Sequence, residues 1–111
     1  MIKIFEVIRE NRNGGGLLTA VSDALSPMLV SPKERESEMM TVQIKVNGIN
    51  IRIINAYGPQ EGNAQYNDEI LKFWEDLEDE IITAYVNDCA IVVQLDANAK
   101  IGTKYIQNDF H

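Results

Sequence analysis

Residues 89–102, CAIVVQLDANAKIG, constrain the fold of this chain more than any other stretch. The apolar and largely β-branched run over residues 90–95, interrupted only by Gln94, is typical of a short central strand that is buried on both faces in an α/β sheet. The run ends in Asp96 and, two residues later, Asn98. These side chains would lie at the carboxyl edge of a core strand, where open α/β sheets bind ligands. Asp and Asn also form turns through their own backbone, so a simple turn is an equally good interpretation.

Length and composition predict one soluble, intracellular domain. The chain has 111 residues, 45% hydrophobic and 24% charged, which is within the ordinary globular range. No apolar run approaches the roughly 20 residues that a bilayer span requires, so no membrane partner is expected. The single cysteine, Cys89, cannot form an internal disulfide and is predicted to be a small core residue.

The net charge of −7 is concentrated in one segment. Residues 66–86 contain seven acids and one base, and the rest of the chain is nearly neutral. This distribution predicts an exposed acidic helix face that improves solubility and does not contact nucleic acid.

Alternating apolar and polar residues predict several strands before this helix. We expect strands over the ranges 2–8, 17–22, 28–30, 38–46 and 49–56. A glycine-rich turn, NRNGGG, separates the first two. Asn47-Gly48 predicts a tight hairpin turn, because a type I′ turn needs a positive φ at both central residues.

Residues 66–86 change to a helical period, with acids on one side. The apolar side comprises Ile70, Phe73, Trp74, Leu77, Ile81, Ala84 and Tyr85. Trp74 is therefore interpreted as a core residue. If the strand after this helix lies parallel to the strand before it, Tyr57 and Asp96 leave the same edge of one sheet.

Tyr57, Asp96 and Asn98 are accordingly the candidate catalytic residues. A carboxylate can orient or deprotonate a water molecule near Mg²⁺, and a phenol and an amide can donate hydrogen bonds to phosphate oxygens. Together these groups suit phosphodiester hydrolysis.

The ordered motifs resemble the endonuclease/exonuclease/phosphatase superfamily, most closely the endonuclease domains of LINE-type retrotransposons. The likeness rests on GGGLLTAV at residues 14–21, INIRIINAYGPQ at 49–60, the amphipathic helix and VQLDANAKIG at 93–102. The resemblance implies an α/β fold with a mixed, largely antiparallel sheet and one long helix, part of a two-sheet sandwich. It also implies Mg²⁺-dependent cleavage of DNA, a nuclear location, and catalytic roles for Tyr57, Asp96 and Asn98.

Other family motifs have no counterpart here. The early asparagine, the metal-binding glutamate and the late Asp-His pair are not matched, and Asp109 and His111 lie too close to Asp96 to replace that pair. We therefore expect residues 1–111 to be a partial domain with little or no nuclease activity by itself, with DNA as a partner in the full-length context. A fragment with only one sheet of the two-sheet sandwich would leave an apolar face exposed, which predicts a homodimer that forms sheet to sheet or by strand exchange. The alternative is a non-catalytic α/β module that serves assembly.

Overall fold

A computed structural model describes residues 1–8, 16–32, 37–59 and 66–96. The elements, in chain order, are β1 (Ile2–Ile8), β2 (Gly16–Ser22), a short 3-10 helix (Asp23–Leu25), β3 (Met28–Leu29), β4 (Met39–Val46), β5 (Ile49–Tyr57), α1 (Tyr66–Val86) and β6 (Ala90–Asp96). In these residues β1 and β2 form a two-stranded antiparallel sheet, and the other strands form a four-stranded sheet in the order β3-β4-β5-β6. The predicted α/β fold with a mixed, largely antiparallel sheet and a long helix is confirmed.

The hairpin of β4 and β5 forms where the sequence predicts it. Asn47 and Gly48 have φ values of 50° and 79°, so both central residues of the turn adopt the left-handed conformation. The turn fixes the register, with Val46 opposite Ile49 and Met39 opposite Ala56.

Strand β6 runs in the same direction as β5, and α1 connects the two strands. β6 pairs with β5 in a parallel ladder, from Ile51 opposite Ala90 to Tyr57 opposite Asp96. A parallel neighbour needs a long crossover connection, and α1 provides it. Both strands therefore end at the same edge of the sheet.

The two faces of the four-stranded sheet are covered by different elements. One face packs against β2, in a cluster of Leu17, Val21, Met40, Val42 and Ile44. The opposite face packs against α1, in a cluster of Met39, Ile54, Ala56, Phe73 and Leu77. The sheet is thus the middle layer between the β1-β2 hairpin and the helix.

The prediction that β6 is a central strand buried on both faces is wrong. β6 lies at the edge of the four-stranded sheet. Its residues Val92, Val93 and Leu95 are 45%, 39% and 41% exposed. An apolar sequence shows which surfaces a strand can bury, but the neighbouring elements decide whether they are buried. Among the described strands, β6 pairs with β5 on one side and with no strand on its other side.

The faces of α1 also differ from the prediction. Trp74 was expected in the core, yet it is 44% exposed, and Tyr85 is 77% exposed. Asp76 and Glu80, which were expected on the exposed acidic face, are only 3% and 2% exposed. Phe73 and Leu77 are the residues of α1 that are buried against the sheet. Asp76 and Glu80 lie on one side of them and bond Ser37 and Thr41. Helical spacing places Trp74 and Tyr85 on the other side. No helix in the described part of the chain has both the length and the apolar character that a membrane crossing requires.

Hydroxyl groups and a lysine compensate the two buried carboxylates. Ser37 Oγ donates a hydrogen bond to Asp76 Oδ2 at 2.6 Å, and Thr41 Oγ1 donates one to Glu80 Oε2 at 3.0 Å. Lys72 Nζ lies 3.2 Å from Asp76 Oδ1. Because buried charges are costly without such partners, these contacts fix the rotation of α1 on the sheet.

Candidate active site at the carboxyl edge of β5 and β6

Tyr57 and Asp96 lie side by side, as the strand-helix-strand order predicted. They are register partners at the last paired position of the parallel ladder. The next residue, Gly58, donates its backbone N–H to the Asp96 carbonyl oxygen at 2.7 Å, which extends the ladder beyond the two strand ends. Neighbouring strands are about 4.8 Å apart, and register partners present their side chains on the same face. The phenol and the carboxylate therefore start from adjacent points on one surface.

Tyr57 is held by the core as well as by the ladder. Its backbone N–H donates to the Glu38 carbonyl oxygen at 2.9 Å. Its side chain is half-buried against the hydrophobic cluster that β2 shares with β4. Asp96, in contrast, is exposed at the end of β6. One candidate residue is thus fixed by packing, while the other faces solvent.

Asn98, the third candidate, lies outside the described residues. It follows Asp96 by two positions in the sequence. Its role in the site stays a prediction.

An open cleft of about 340 Å³ lies above this strand edge. Residues 16–18 at the start of β2 form one wall, and residues 55–57 and 94–96 line the rest. The β1-β2 hairpin therefore contributes to the site by standing over the ends of β5 and β6. The volume is at the lower end of the range typical of small-molecule pockets.

Two amide side chains in this cleft were missed by the sequence analysis. Asn55 and Gln94 are register partners of each other, and each lies two residues before a candidate residue, Tyr57 or Asp96. Both line the cleft. Asn55 Nδ2 also donates a hydrogen bond to the Leu18 carbonyl oxygen at 3.1 Å, which ties β5 to the cleft wall. The spacing of these residues in the sequence could have identified them, because side chains two residues apart on a strand lie on the same face. Polar residues at positions 55 and 94, within otherwise apolar strands, therefore belong to the same surface as the two candidates.

The described residues contain no cluster of three or more metal-ligating side chains. Nowhere in residues 1–8, 16–32, 37–59 or 66–96 do three or more His, Cys, Asp or Glu side chains gather closely enough to hold a metal ion. Mg²⁺ is usually bound by one or two carboxylates together with water and phosphate oxygens. Asp96 supplies a carboxylate to the cleft, so further ligands would have to come from a substrate or from elsewhere.

Comparisons of this chain with protein-family models, with curated proteins and with solved structures gave no match. The resemblance to the endonuclease/exonuclease/phosphatase superfamily therefore stays a prediction based on sequence motifs. The adjacency of Tyr57 and Asp96 is the structural observation on which a functional proposal can be based.

Proposed function

We propose that the cleft at the carboxyl edge of β5 and β6 binds a phosphodiester. In this proposal the chain is part of a Mg²⁺-dependent DNA endonuclease of the endonuclease/exonuclease/phosphatase superfamily, similar to those of LINE-type retrotransposons. The single observation that carries the proposal is the register pairing of Tyr57 with Asp96.

The geometry of the strand edge supports contact of both side chains with one phosphate. At a strand spacing of about 4.8 Å, two side chains on the same face can reach the same small group. The phenol of Tyr57 would donate a hydrogen bond to a phosphate oxygen, and the carboxylate of Asp96 would orient or deprotonate a water molecule. Asn98 would contribute a second neutral donor. Mg²⁺, when bound, would neutralise charge on the phosphate oxygens.

The acidity of the chain does not oppose this proposal at the cleft. Most of the net charge of −7 resides in α1, which contains seven acids and one base. α1 packs on one face of the four-stranded sheet, whereas the cleft opens on the face that β2 covers. The sheet therefore separates the acidic helix from a phosphate bound at Tyr57.

We test binding by titrating the ¹⁵N-labelled chain with Mg²⁺ and a short DNA duplex at low salt. The expected result is a selective change in the NMR signals of Tyr57, Gly58 and Asp96. Asp96→Asn should abolish this change. The matched control is Asp88→Asn, which removes one negative charge at a position that precedes β6. Asp88 has a φ of 56°, a left-handed conformation that asparagine also adopts. Equal behaviour of the two variants, or no change at the strand edge, would refute the proposal.

Turnover requires a separate assay. We expect the chain by itself to nick plasmid DNA little or not at all in Mg²⁺, because the early asparagine, the metal-binding glutamate and the late Asp-His pair of the family that it resembles are not matched in its sequence. Nicking that is lost in Asp96→Ala would overturn the expectation of inactivity and would support the phosphodiesterase assignment.

A non-catalytic assembly module is the second candidate function. The observation that favours it is the exposed apolar surface on β6 and α1, including Val93, Leu95 and Trp74. No effect of Mg²⁺ or DNA on the strand edge, together with self-association of the chain, would favour this function over hydrolysis.

A further inference from the structure

The outer edge of β6 has the chemistry of a strand-pairing surface. Among the strands that the structure describes, β6 has a neighbour on one side only. Natural edge strands are commonly protected by charges, proline or bulges, but β6 contains no proline, and its one charged residue is Asp96 at its end. We propose that a second copy of this chain pairs here, with β6 antiparallel to β6 across a two-fold axis, so that two four-stranded sheets become one.

The direction of the backbone groups along β6 can be derived from one hydrogen bond. The Asp96 carbonyl oxygen accepts the Gly58 N–H, so the backbone groups of Asp96 face β5. Alternate residues of a strand direct their N–H and C=O groups to the same side. The backbone groups of Ile91, Val93 and Leu95 therefore face away from β5, towards the outer edge.

This alternation selects a symmetric register. A two-fold axis beside Val93 pairs Val93 with Val93 of the second copy, and Ile91 with Leu95 of the second copy. By symmetry, Leu95 also pairs with Ile91 of the second copy. Each of these three pairs exchanges two N–H···O=C bonds, which gives about six bonds between the copies. Asp96 then lies opposite Ala90 of the second copy. The two Asp96 carboxylates are separated by six residues along the strands, or about 20 Å, which keeps like charges apart.

The helix extends the same surface above the sheet. α1 contacts both β5 and β6, and Ile70 and Ile81 of α1 pack against the same buried cluster as Ile91 of β6. Helical spacing continues this stripe outward to Trp74 and Tyr85, which are 44% and 77% exposed. A two-fold axis perpendicular to the sheet places both α1 helices on the same face. These aromatic rings therefore approach those of the second copy when the strand edges pair.

The area available is adequate for a weak dimer. The exposed fractions of Trp74, Tyr85, Val93 and Leu95 are 44%, 77%, 39% and 41%. At roughly 150–250 Å² for a large side chain, these four residues offer about 400 Å² per copy, or about 800 Å² in the dimer. The strand edges add to this area and bring it near the lower end of stable interfaces, about 1,200 Å². An interface of this size is typical of a weak complex, so the dimer should dissociate on dilution.

The net negative charge of each copy opposes this association, so the strength of the dimer should depend on the salt concentration. Each copy has a net charge of −7, so two copies repel each other at long range. Salt screens this repulsion, with a Debye length of about 10 Å at 0.1 M that shortens as salt increases. The dimer should therefore become tighter with added salt, whereas an interface built on ion pairs would weaken.

Amide hydrogen exchange of the complete 111-residue chain tests the register directly. The amides of Val92 and Gln94 face β5 and should be protected at every protein concentration. The amides of Ile91, Val93 and Leu95 should become protected only as concentration rises and the dimer forms. A dimer without this alternating, concentration-dependent protection would overturn the proposed register.

A proline substitution tests the same edge independently. Val93→Pro removes an outward N–H without removing a bond to β5. Val93→Thr is the matched control, because it keeps both the N–H and the β-branched shape. Light scattering should give a dimer for the parent chain and for Val93→Thr, and a monomer for Val93→Pro, with circular dichroism reporting that each is folded. A parent chain that stays monomeric up to a concentration of about 1 mM would overturn the proposal, as would a Val93→Pro variant that still dimerises.

Discussion

The hydrogen bond between Thr41 and Glu80 tests how α1 is attached to the sheet. Thr41 is completely buried on β4, and the Glu80 side chain that accepts its hydroxyl hydrogen is 2% exposed. Thr41→Val replaces the hydroxyl by a methyl group of similar size. The substitution therefore removes one donor from a buried carboxylate without creating a cavity.

The expected loss of stability follows from the charge of the acceptor. Hydrogen bonds to charged groups contribute about 1.5–3 kcal/mol, so Thr41→Val should lower the free energy of unfolding by about 2 kcal/mol. For a domain of this size, each kcal/mol corresponds to roughly 4–8 °C in the melting temperature, so a decrease of about 10 °C is expected. Thr41→Ser keeps the donor and loses one methyl group, which costs only about 0.8 kcal/mol.

Urea denaturation followed by circular dichroism measures these differences. The double variant Thr41→Val/Glu80→Leu should be less destabilised than the sum of the two single variants, because removing both polar partners leaves no orphaned group at this contact. The reasoning is refuted if Thr41→Val lies within about 0.5 kcal/mol of the parent chain, a range typical of surface substitutions. It is also refuted if Thr41→Ser is as destabilising as Thr41→Val.

Four further substitutions probe other parts of the fold. Thr19→Val should stabilise the chain by about 1 kcal/mol in urea denaturation, because Thr19 Oγ1 is buried without a hydrogen-bond partner among the described residues; destabilisation would indicate an unrecognised partner. Gly48→Ala should cost about 1–2 kcal/mol because its φ is 79°, although no atom lies within 4 Å of the added methyl group, and an unchanged melting temperature would contradict this assignment of strain. Phe73→Ala should cost about 3–5 kcal/mol, the largest loss of the set, since Phe73 is 1% exposed between α1 and the sheet; a smaller loss in thermal denaturation than that of Thr41→Val would contradict the core assignment. Asn55→Ala should accelerate amide exchange in β2 by removing the bond to the Leu18 carbonyl oxygen, and unchanged exchange would show that this bond does not hold the hairpin.

Local patterns in the sequence were sufficient to predict most elements. The Asn47-Gly48 dipeptide predicted a turn that needs two positive φ values, and both occur. The change from alternating to helical periodicity predicted α1 at residues 66–86. Such patterns succeed because turn geometry and the period of burial are properties of short segments.

The adjacency of the two candidate residues was also predictable in part. A strand, a helix and a second strand favour a parallel pair, whose carboxyl ends meet at one edge. Tyr57 and Asp96 confirm this expectation. The contributions of Asn55 and Gln94 required the actual register, because a shift of one residue would place both amides on the opposite face.

What the sequence determined by itself is the type, order and approximate limits of these elements, since each depends on residues that are close along the chain. Only the tertiary structure decided which of their surfaces are covered. β6 has the composition of a central strand but lies at the edge of the sheet, and α1 buries Asp76 and Glu80 while exposing Trp74. The physical reason is that burial depends on neighbours distant in the chain: the hydroxyls of Ser37 and Thr41 make two buried acids tolerable.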